Sequence, residues 1–441
     1  MVLLWSWLAC SGTSEEGAVT ESESVDWTGG CGLDPYDLLP ASEVGQVVAV
    51  EEAADLSLPA SAIELTLGLA GLPAEFFDVQ YDVKTWRVRY RTQDRGEPVD
   101  ATMLLSYPVG AGDVPTFAWL HGTTGFTDAC APSALGLEGG AFNLLFASLG
   151  YVVVSPDYVG MNGIGEPAPF LHPYLVPEAA ALPSLDAVRA AWAFEPEEDV
   201  GATPTRSLVW FGASEGGFTA LWSDRYQPHY LPEANPVAVV ASVPPADLPA
   251  IADQSLAAFE EATVGLLGGV IAWHDWYRVP HDLGDVVQPD IAAQATDALA
   301  ESCSVSLVDD VSTVEEVFTA EFVASVLDGN EAFPEMACAL ARTRVVDSEV
   351  PHESDTPVMY VVAELDELVS AGPTRAAFQP LCDAGYRMNY LECARADHVD
   401  GAVWSLPEVL DWARDRVDGV PLEDVCVQRA AQACSLEGVD E

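Results

Sequence analysis

Gly212-Ala213-Ser214-Glu215-Gly216 stands between the apolar run Ser207-Leu208-Val209-Trp210-Phe211 and the segment Gly217-Phe218-Thr219-Ala220-Leu221-Trp222-Ser223-Asp224-Arg225-Tyr226. The run reads as a buried strand and the segment after it as a helix, so the G-x-S-x-G occupies a tight turn between them. Such a turn requires glycine at 212 and 216, where a Cβ would meet the neighbouring strand or helix, and it holds the serine in a strained backbone conformation. Ser214 Oγ then projects at the edge of a sheet as a nucleophile, and the pattern points to hydrolysis.

Outward from this turn the chain keeps a strand rhythm. Strands are predicted at Thr85 to Arg91, Ala101 to Tyr107, Thr116 to Leu120, Tyr151 to Ser155, Val237 to Ser242, Val358 to Ala363 and Asn389 to Cys393. Several are continuous apolar runs of the kind found in sheets buried on both faces. Helical patterns such as Leu185 to Phe194 and Thr374 to Ala384 lie between them, which implies a mostly parallel sheet wrapped by helices. From about 246 to 350 the strand rhythm stops, and Ala250 to Ala262, Asp290 to Glu301 and Val314 to Leu327 read as helices of an inserted cap. Within it Thr263 to Tyr277 is apolar and glycine-rich, a buried cap helix or else an acyl-binding wall or lid. The division is therefore 1–10 a signal-like segment, 11–58 an acidic flexible linker, 59–245 with 351–418 the core, 246–350 the cap, and 419–441 a cysteine-containing tail.

A nucleophilic serine needs a base to take its proton and an acid to orient that base, and after a turn of this kind the expected chain order is Ser, Asp or Glu, His. His398 follows the last predicted strand, where a loop can swing the imidazole back over the sheet. His274 and His281 fall in the cap, His352 precedes a strand, and His229 reads as a surface residue on the helix after the turn. The acid is expected at the end of Val358 to Ala363, where Asp366 is favoured and Glu364 and Glu367 compete. Asp157, upstream of Ser214, reads as a support for Tyr158-Val159-Gly160.

Stabilising an oxyanion takes two backbone N–H groups. Glu215, directly after the serine, supplies one, and His121-Gly122-Thr123-Thr124-Gly125, directly after the strand Thr116 to Leu120, supplies the other. Thr124 is the choice in that loop, with Thr123 next; His121 reads as a support for the loop.

Charge narrows the partners. The 441 residues carry 70 acidic against 17 basic side chains, a net charge of −53, and Lys84 is the only lysine. Such a chain is repelled by nucleic acid and by anionic bilayers. The acidity fits life in high salt, where screening suppresses self-repulsion, and equally a solubilising surface. The hydrophobic content of 49% is enough for a large core.

Val2 to Ala9 is apolar, too short to span a bilayer, and is followed by Cys10-Ser11-Gly12, the pattern of a clipped signal peptide. Leu8-Ala9-Cys10 resembles a bacterial lipoprotein signal, although a basic stretch is missing and Trp7 stands where a small aliphatic residue is usual; membrane attachment through a lipidated Cys10 follows from that resemblance. Nine cysteines leave eight when Cys10 is set aside, enough for four disulfides in an oxidising compartment, which supports export. Sequence proximity suggests Cys382 with Cys393 and Cys426 with Cys434, with Cys31, Cys130, Cys303 and Cys338 left open. No C-x-x-C or histidine-rich cluster argues for a metal.

Together these residues resemble the α/β-hydrolases, and more narrowly the secretory lipase or lipase A-like family. The narrower likeness is carried by His121 to Gly125, Cys130-Ala131-Pro132-Ser133, Asp157-Tyr158-Val159-Gly160, Leu185-Asp186-Ala187-Val188-Arg189-Ala190, the Ser214 turn and Asp366 to His398. It spans roughly residues 85 to 415. The resemblance implies an α/β-hydrolase fold with a helical cap before the acid-bearing strand, cleavage of small-molecule or lipid carboxylic esters, and no cofactor. Ser370 stands where such enzymes often carry proline, which bears on the rigidity of the acid's loop. The same machinery would serve a peptidase or an acyltransferase, and a scaffold that had lost its chemistry would serve a surface-binding protein. Of that loss there is no sign, since every member of the constellation is present.

Overall fold

Each apolar run becomes a strand because its side chains alternate between two faces that are both covered. In β6 (Ala202–Ala213), Leu208 and Trp210 enter one core while Val209 and Phe211 enter the other. The computed structural model describes residues 30–438 apart from 35, 70, 302, 305–307, 309, 330 and 331. The remaining strands are β1 (Val47–Glu52), β2 (Val83–Asp94), β3 (Glu97–Pro108), β4 (Gly112–Leu120), β5 (Val152–Pro156), β7 (Asn235–Ser242), β8 (Pro357–Ala363) and β9 (Arg387–Cys393). They form one sheet in the order β1-β2-β3-β5-β4-β6-β7-β8-β9. Pairing is antiparallel from β1 through β2 and β3 to β5, and parallel from β5 through β4 onward to β9. Helices Leu137–Ser148 and Leu406–Val417 cover one face, and Pro177–Ala193 and Glu215–Tyr230 cover the other. The mostly parallel, helix-flanked sheet expected from the sequence is the observed architecture.

The chain order puts the strand ends of β4, β6, β8 and β9 on one rim, and the loops leaving them carry His121, Ser214, Asp366 and His398. Between β7 and β8 the chain runs through helices Leu248–Ala257, Glu261–Trp276, Pro289–Glu301, Ala320–Leu327 and Pro334–Arg342, with shorter helical turns at Leu283–Val286, Val314–Val317 and Val345–Asp347. Two helices expected here as continuous are broken. Ala250 to Ala262 divides at Ala258, because Glu260 starts a new helix through a reciprocal capping pair with Thr263. Val314 to Leu327 divides at Phe318, because the Thr319 hydroxyl accepts from the Phe322 N–H and caps a second helix.

Two further expectations are corrected, the linker boundary and the disulfide pairing. The flexible linker assigned to 11–58 ends earlier, since β1 lies within it and pairs with β2 along its length. β1 escaped notice because it is mostly exposed and shows no alternation of buried and solvated side chains. Residues 1–29, including Cys10 and the signal-like segment, lie outside the described residues.

The disulfides join Cys31 to Cys338, Cys130 to Cys303, Cys382 to Cys426 and Cys393 to Cys434, not Cys382 to Cys393 and Cys426 to Cys434. Sequence proximity misled because the tail 419–438 doubles back along the open edge of β9. Cys426 N–H donates to the Met388 carbonyl, Gln432 N–H to Glu392, and Ala394 N–H to Gln432. The tail thus satisfies edge groups that would otherwise invite another chain. Its two disulfides close loops of 44 and 41 residues, each contributing about 4 kcal/mol in the chain-entropy account.

Candidate active site

The turn at Ser214 is held by backbone packing alone. A Cβ on Gly212 would lie 1.9 Å from the Gly216 carbonyl oxygen, and one on Gly216 would lie 1.8 Å from that of Leu120. Neither position accepts a side chain, as the motif implied. Ser214 itself adopts φ 57° and ψ −120° at the N-terminus of helix Glu215–Tyr230, and its N–H donates to the Ser242 carbonyl at the end of β7. A non-glycine residue at positive φ is a strained arrangement that the surrounding strands must enforce.

Three residues predicted separately come together here. His398 Nδ1 donates to Asp366 Oδ2 at 2.7 Å, which leaves Nε2, 2.9 Å from Ser214 Oγ, free to accept the serine proton. The other carboxylate oxygen, Asp366 Oδ1, accepts from the N–H groups of Leu368 and Val369. Both oxygens are thus engaged and the carboxylate cannot rotate away. The competing acids point elsewhere: Glu367 is exposed, and Glu364 accepts from the Arg395 N–H, steadying the loop that delivers His398. Ser370, where proline was expected, donates from its hydroxyl to Glu260 at the start of the cap helix Glu261–Trp276, and the Ala371 N–H returns to the Asp366 carbonyl. Tertiary bonds take over what a proline ring would do for rigidity.

Of the other histidines, His274 and His281 lie in the cap and bond to one another through the His281 carbonyl. His352 stacks on Tyr386, with ring centroids 3.9 Å apart, and His229 bonds to the Pro351 carbonyl from a half-exposed position. None approaches Ser214.

The loop after β4 also reaches the serine. A Cβ on Gly122 would stand 3.3 Å from the Ala213 carbonyl oxygen and 3.4 Å from the Ser214 Cβ, so the loop lies directly against the serine. Gly122 and Thr123 line the cavity over Ser214, whereas Thr124, the first choice from sequence, is not among its lining residues. The Thr123 hydroxyl donates to Tyr174 Oη. His121 supports the loop: its Nδ1 meets the Gly122 carbonyl, its ring lies 4.4 Å from that of Tyr158, and burial pushes its pKa down. Asp157 accepts from the Ser133 N–H and from the hydroxyls of Ser133 and Thr102, tying the Cys130 to Ser133 segment to β3.

The cavity above Ser214 measures about 380 Å³ and is almost wholly apolar. One wall is the cap helix Glu261–Trp276, with Ala262, Gly265, Leu266, Gly269 and Trp273 lining the space; Trp119, Phe142, Phe211 and Val403 line it from the core. The glycine-rich segment is thus both a buried helix and a wall. A space of this size and polarity accepts a hydrocarbon chain and repels charge.

Sequence reasoning missed His172. Its Nε2 lies 2.6 Å from Glu215 Oε1, and both side chains are sealed from solvent, at 0% and 1% exposure. The available signal was Glu215 itself, because a carboxylate fixed between a buried strand and a buried helix needs a partner.

Comparison with known proteins identifies the family and the fold. The secretory lipase family matches residues 142–424. Lipase A of Arthroderma benhamiae is 26% identical over 360 residues, which are 78% of this chain and 72% of that protein. Among solved structures, the rice cell wall degrading esterase LipA of Xanthomonas oryzae superposes with a TM-score of 0.70 at 21% identity, covering 87% of this chain and all of the other. Candida antarctica lipase A in its closed state gives 0.64 at 16% identity, covering 91% and 89%.

Proposed function

This chain belongs to the secretory lipase family and is a carboxylic ester hydrolase, and from that premise we propose that it is an exported enzyme working through Ser214, His398 and Asp366. The observation that carries the assignment is the unbroken run of hydrogen bonds from Asp366 through His398 to Ser214 Oγ at the floor of an apolar cavity. His398 Nε2 takes the Ser214 proton as Oγ attacks the ester carbonyl, and Asp366 holds the ring in the required tautomer and offsets the charge it acquires. The tetrahedral oxyanion is met by the N–H of Glu215 and by that of Thr123, preferred to Thr124 because Thr123 faces the cavity. Loss of one such donor typically costs about 2.7–4 kcal/mol. His398 returns its proton to the leaving alcohol, and water then resolves the acyl-enzyme by the same route. The cavity takes the acyl chain of a lipid or small ester along Gly265 and Gly269.

Export is supported by the family, by the signal-like start of the chain and by four disulfides, which persist only outside the reducing cytosol. Lipidation of Cys10 is read from the sequence alone; it predicts a membrane-bound product that Cys10→Ala releases into the medium.

Hydrolysis of p-nitrophenyl esters of increasing chain length by the wild type and by Ser214→Ala, with fluorophosphonate labelling of both, is the direct test. Activity and labelling should vanish together in Ser214→Ala. Labelling that persists there places the nucleophile elsewhere and sinks the assignment.

A further inference from the structure

Glu215 has two roles that pull against each other. In the reading above, on which this inference rests, its N–H faces the developing oxyanion. Its side chain turns the other way, into the interior, and is a carboxylate one residue from where negative charge must grow. Left alone, it would oppose the transition state, because charges interact strongly where water is excluded.

The contacts of His172 resolve this. Its Nδ1 lies 2.9 Å from the Val159 carbonyl oxygen, which can only accept, so Nδ1 carries a hydrogen. The 2.6 Å contact between Nε2 and Glu215 Oε1 requires a second hydrogen between them. Whichever atom holds it, the pair as a whole has no net charge. The other titratable groups facing Glu215 are His121, Tyr158 and Tyr174.

The same residue joins the two sides of the oxyanion site. His172 N–H donates to the Phe126 carbonyl at the end of the loop after β4. Tyr158 stacks against the His172 ring, 5.5 Å away at 19°, and donates its hydroxyl to the His121 carbonyl. The close passage explains Gly160 in the Asp157 to Gly160 segment, since a Cβ there would stand 2.5 Å from the His172 backbone.

We infer that His172 is a positioning residue for ester cleavage: it cancels the Glu215 carboxylate and holds the Glu215 N–H in register with the loop that supplies the second donor.

The test compares His172→Gln, Glu215→Gln and the double variant with the wild type, using p-nitrophenyl butyrate kinetics and thermal unfolding. His172→Gln leaves the carboxylate uncompensated and should lower kcat by roughly ten- to a hundredfold, with KM within about twofold. Glu215→Gln in that background removes the charge and should restore most of the loss. Glu215→Gln alone keeps the backbone N–H and is the reference against which the double variant is read. If His172→Gln alone does not fold, the uncharged double variant decides the matter: its kcat should lie within about tenfold of that of Glu215→Gln, and a larger deficit overturns the inference. So does wild-type kcat in His172→Gln, or a folded double variant no better than the single one. A wild type without esterase activity would instead remove the functional reading itself.

Discussion

The floor and the roof of the cavity are held in place by different means. On the floor every group proposed to react leaves the end of a strand, and its geometry is imposed within a few residues of that strand: glycines at 212 and 216, N–H bonds from Leu368 and Val369 to Asp366, and the Glu364 contact that steadies the His398 loop. The roof is secured by pairings between distant parts of the chain. Cys130–Cys303 and Cys31–Cys338 tie cap segments to the core side, and Arg342 reaches from the cap to Glu178 on the core helix Pro177–Ala193. Chemistry thus rests on the part with the least freedom. Shape rests on a part whose anchors can be removed singly, and that separation is open to experiment.

The largest effect is expected from breaking the floor without disturbing its frame. Asp366→Asn keeps an oxygen for the N–H groups of Leu368 and Val369 but presents the wrong partner to His398 Nδ1. kcat should fall by about 10⁴-fold with the melting temperature nearly unchanged. A fall of less than about tenfold would transfer the role to Glu364 or Glu367.

The roof should fail in the opposite sense. Arg342→Met strips Glu178, which is buried, of its cation. Removing one partner of a buried pair costs about 3–5 kcal/mol, so calorimetry should register a clear loss of melting temperature while kcat on a short ester stays close to the wild type. An equal loss of both would mean that roof and floor are one cooperative unit.

This contrast also explains what was legible in the sequence. Eight strands, the elbow, His398 and Asp366 could be read because each depends on local pattern: apolar runs, glycines at fixed offsets, polar residues just beyond strand ends. The cap helices were located as a block, but their breaks at Ala258 and Phe318 depend on capping by Glu260 and Thr319. The disulfide pairing was illegible because it follows from the tail lying against β9, and β1 because its side chains are mostly exposed. His172 went unseen for the same reason: its meaning lies in a contact with a residue 43 positions away.

A smaller change sharpens the role of the roof as a gauge of substrate length. A Cβ at Gly265 would meet only Leu368 Cδ1, at 3.5 Å, so a larger side chain is accepted and extends into the cavity. Each buried methylene of an acyl chain is worth about 0.8 kcal/mol, and Gly265→Leu, by excluding two of them, should lower kcat/KM for long-chain esters about tenfold. Butyrate should be spared. A uniform loss at every chain length would mean that the acyl group lies elsewhere.

The smallest expected effect concerns a strut of the floor that titrates. Burial pushes the Asp157 carboxyl from 3.8 up to about 6, although hydrogen bonds from Ser133 and Thr102 partly offset this. Below about pH 4 the group is protonated whether the chain is folded or not, and it costs nothing. Between about pH 4 and 6 the unfolded chain ionises while the buried group resists, so the folded state loses stability over that window, and above it the loss is complete. Many of the 70 acidic residues also change charge there, so the informative quantity is a difference. Asp157→Asn retains a carbonyl acceptor for the Ser133 N–H and cannot ionise. Its melting temperature relative to the wild type should rise between pH 4 and 6, by about 3 °C for a chain of this size, and level off above. A difference that stays flat across the window would show that Asp157 ionises as easily as a solvated aspartate, and that its hydrogen bonds fully compensate for burial.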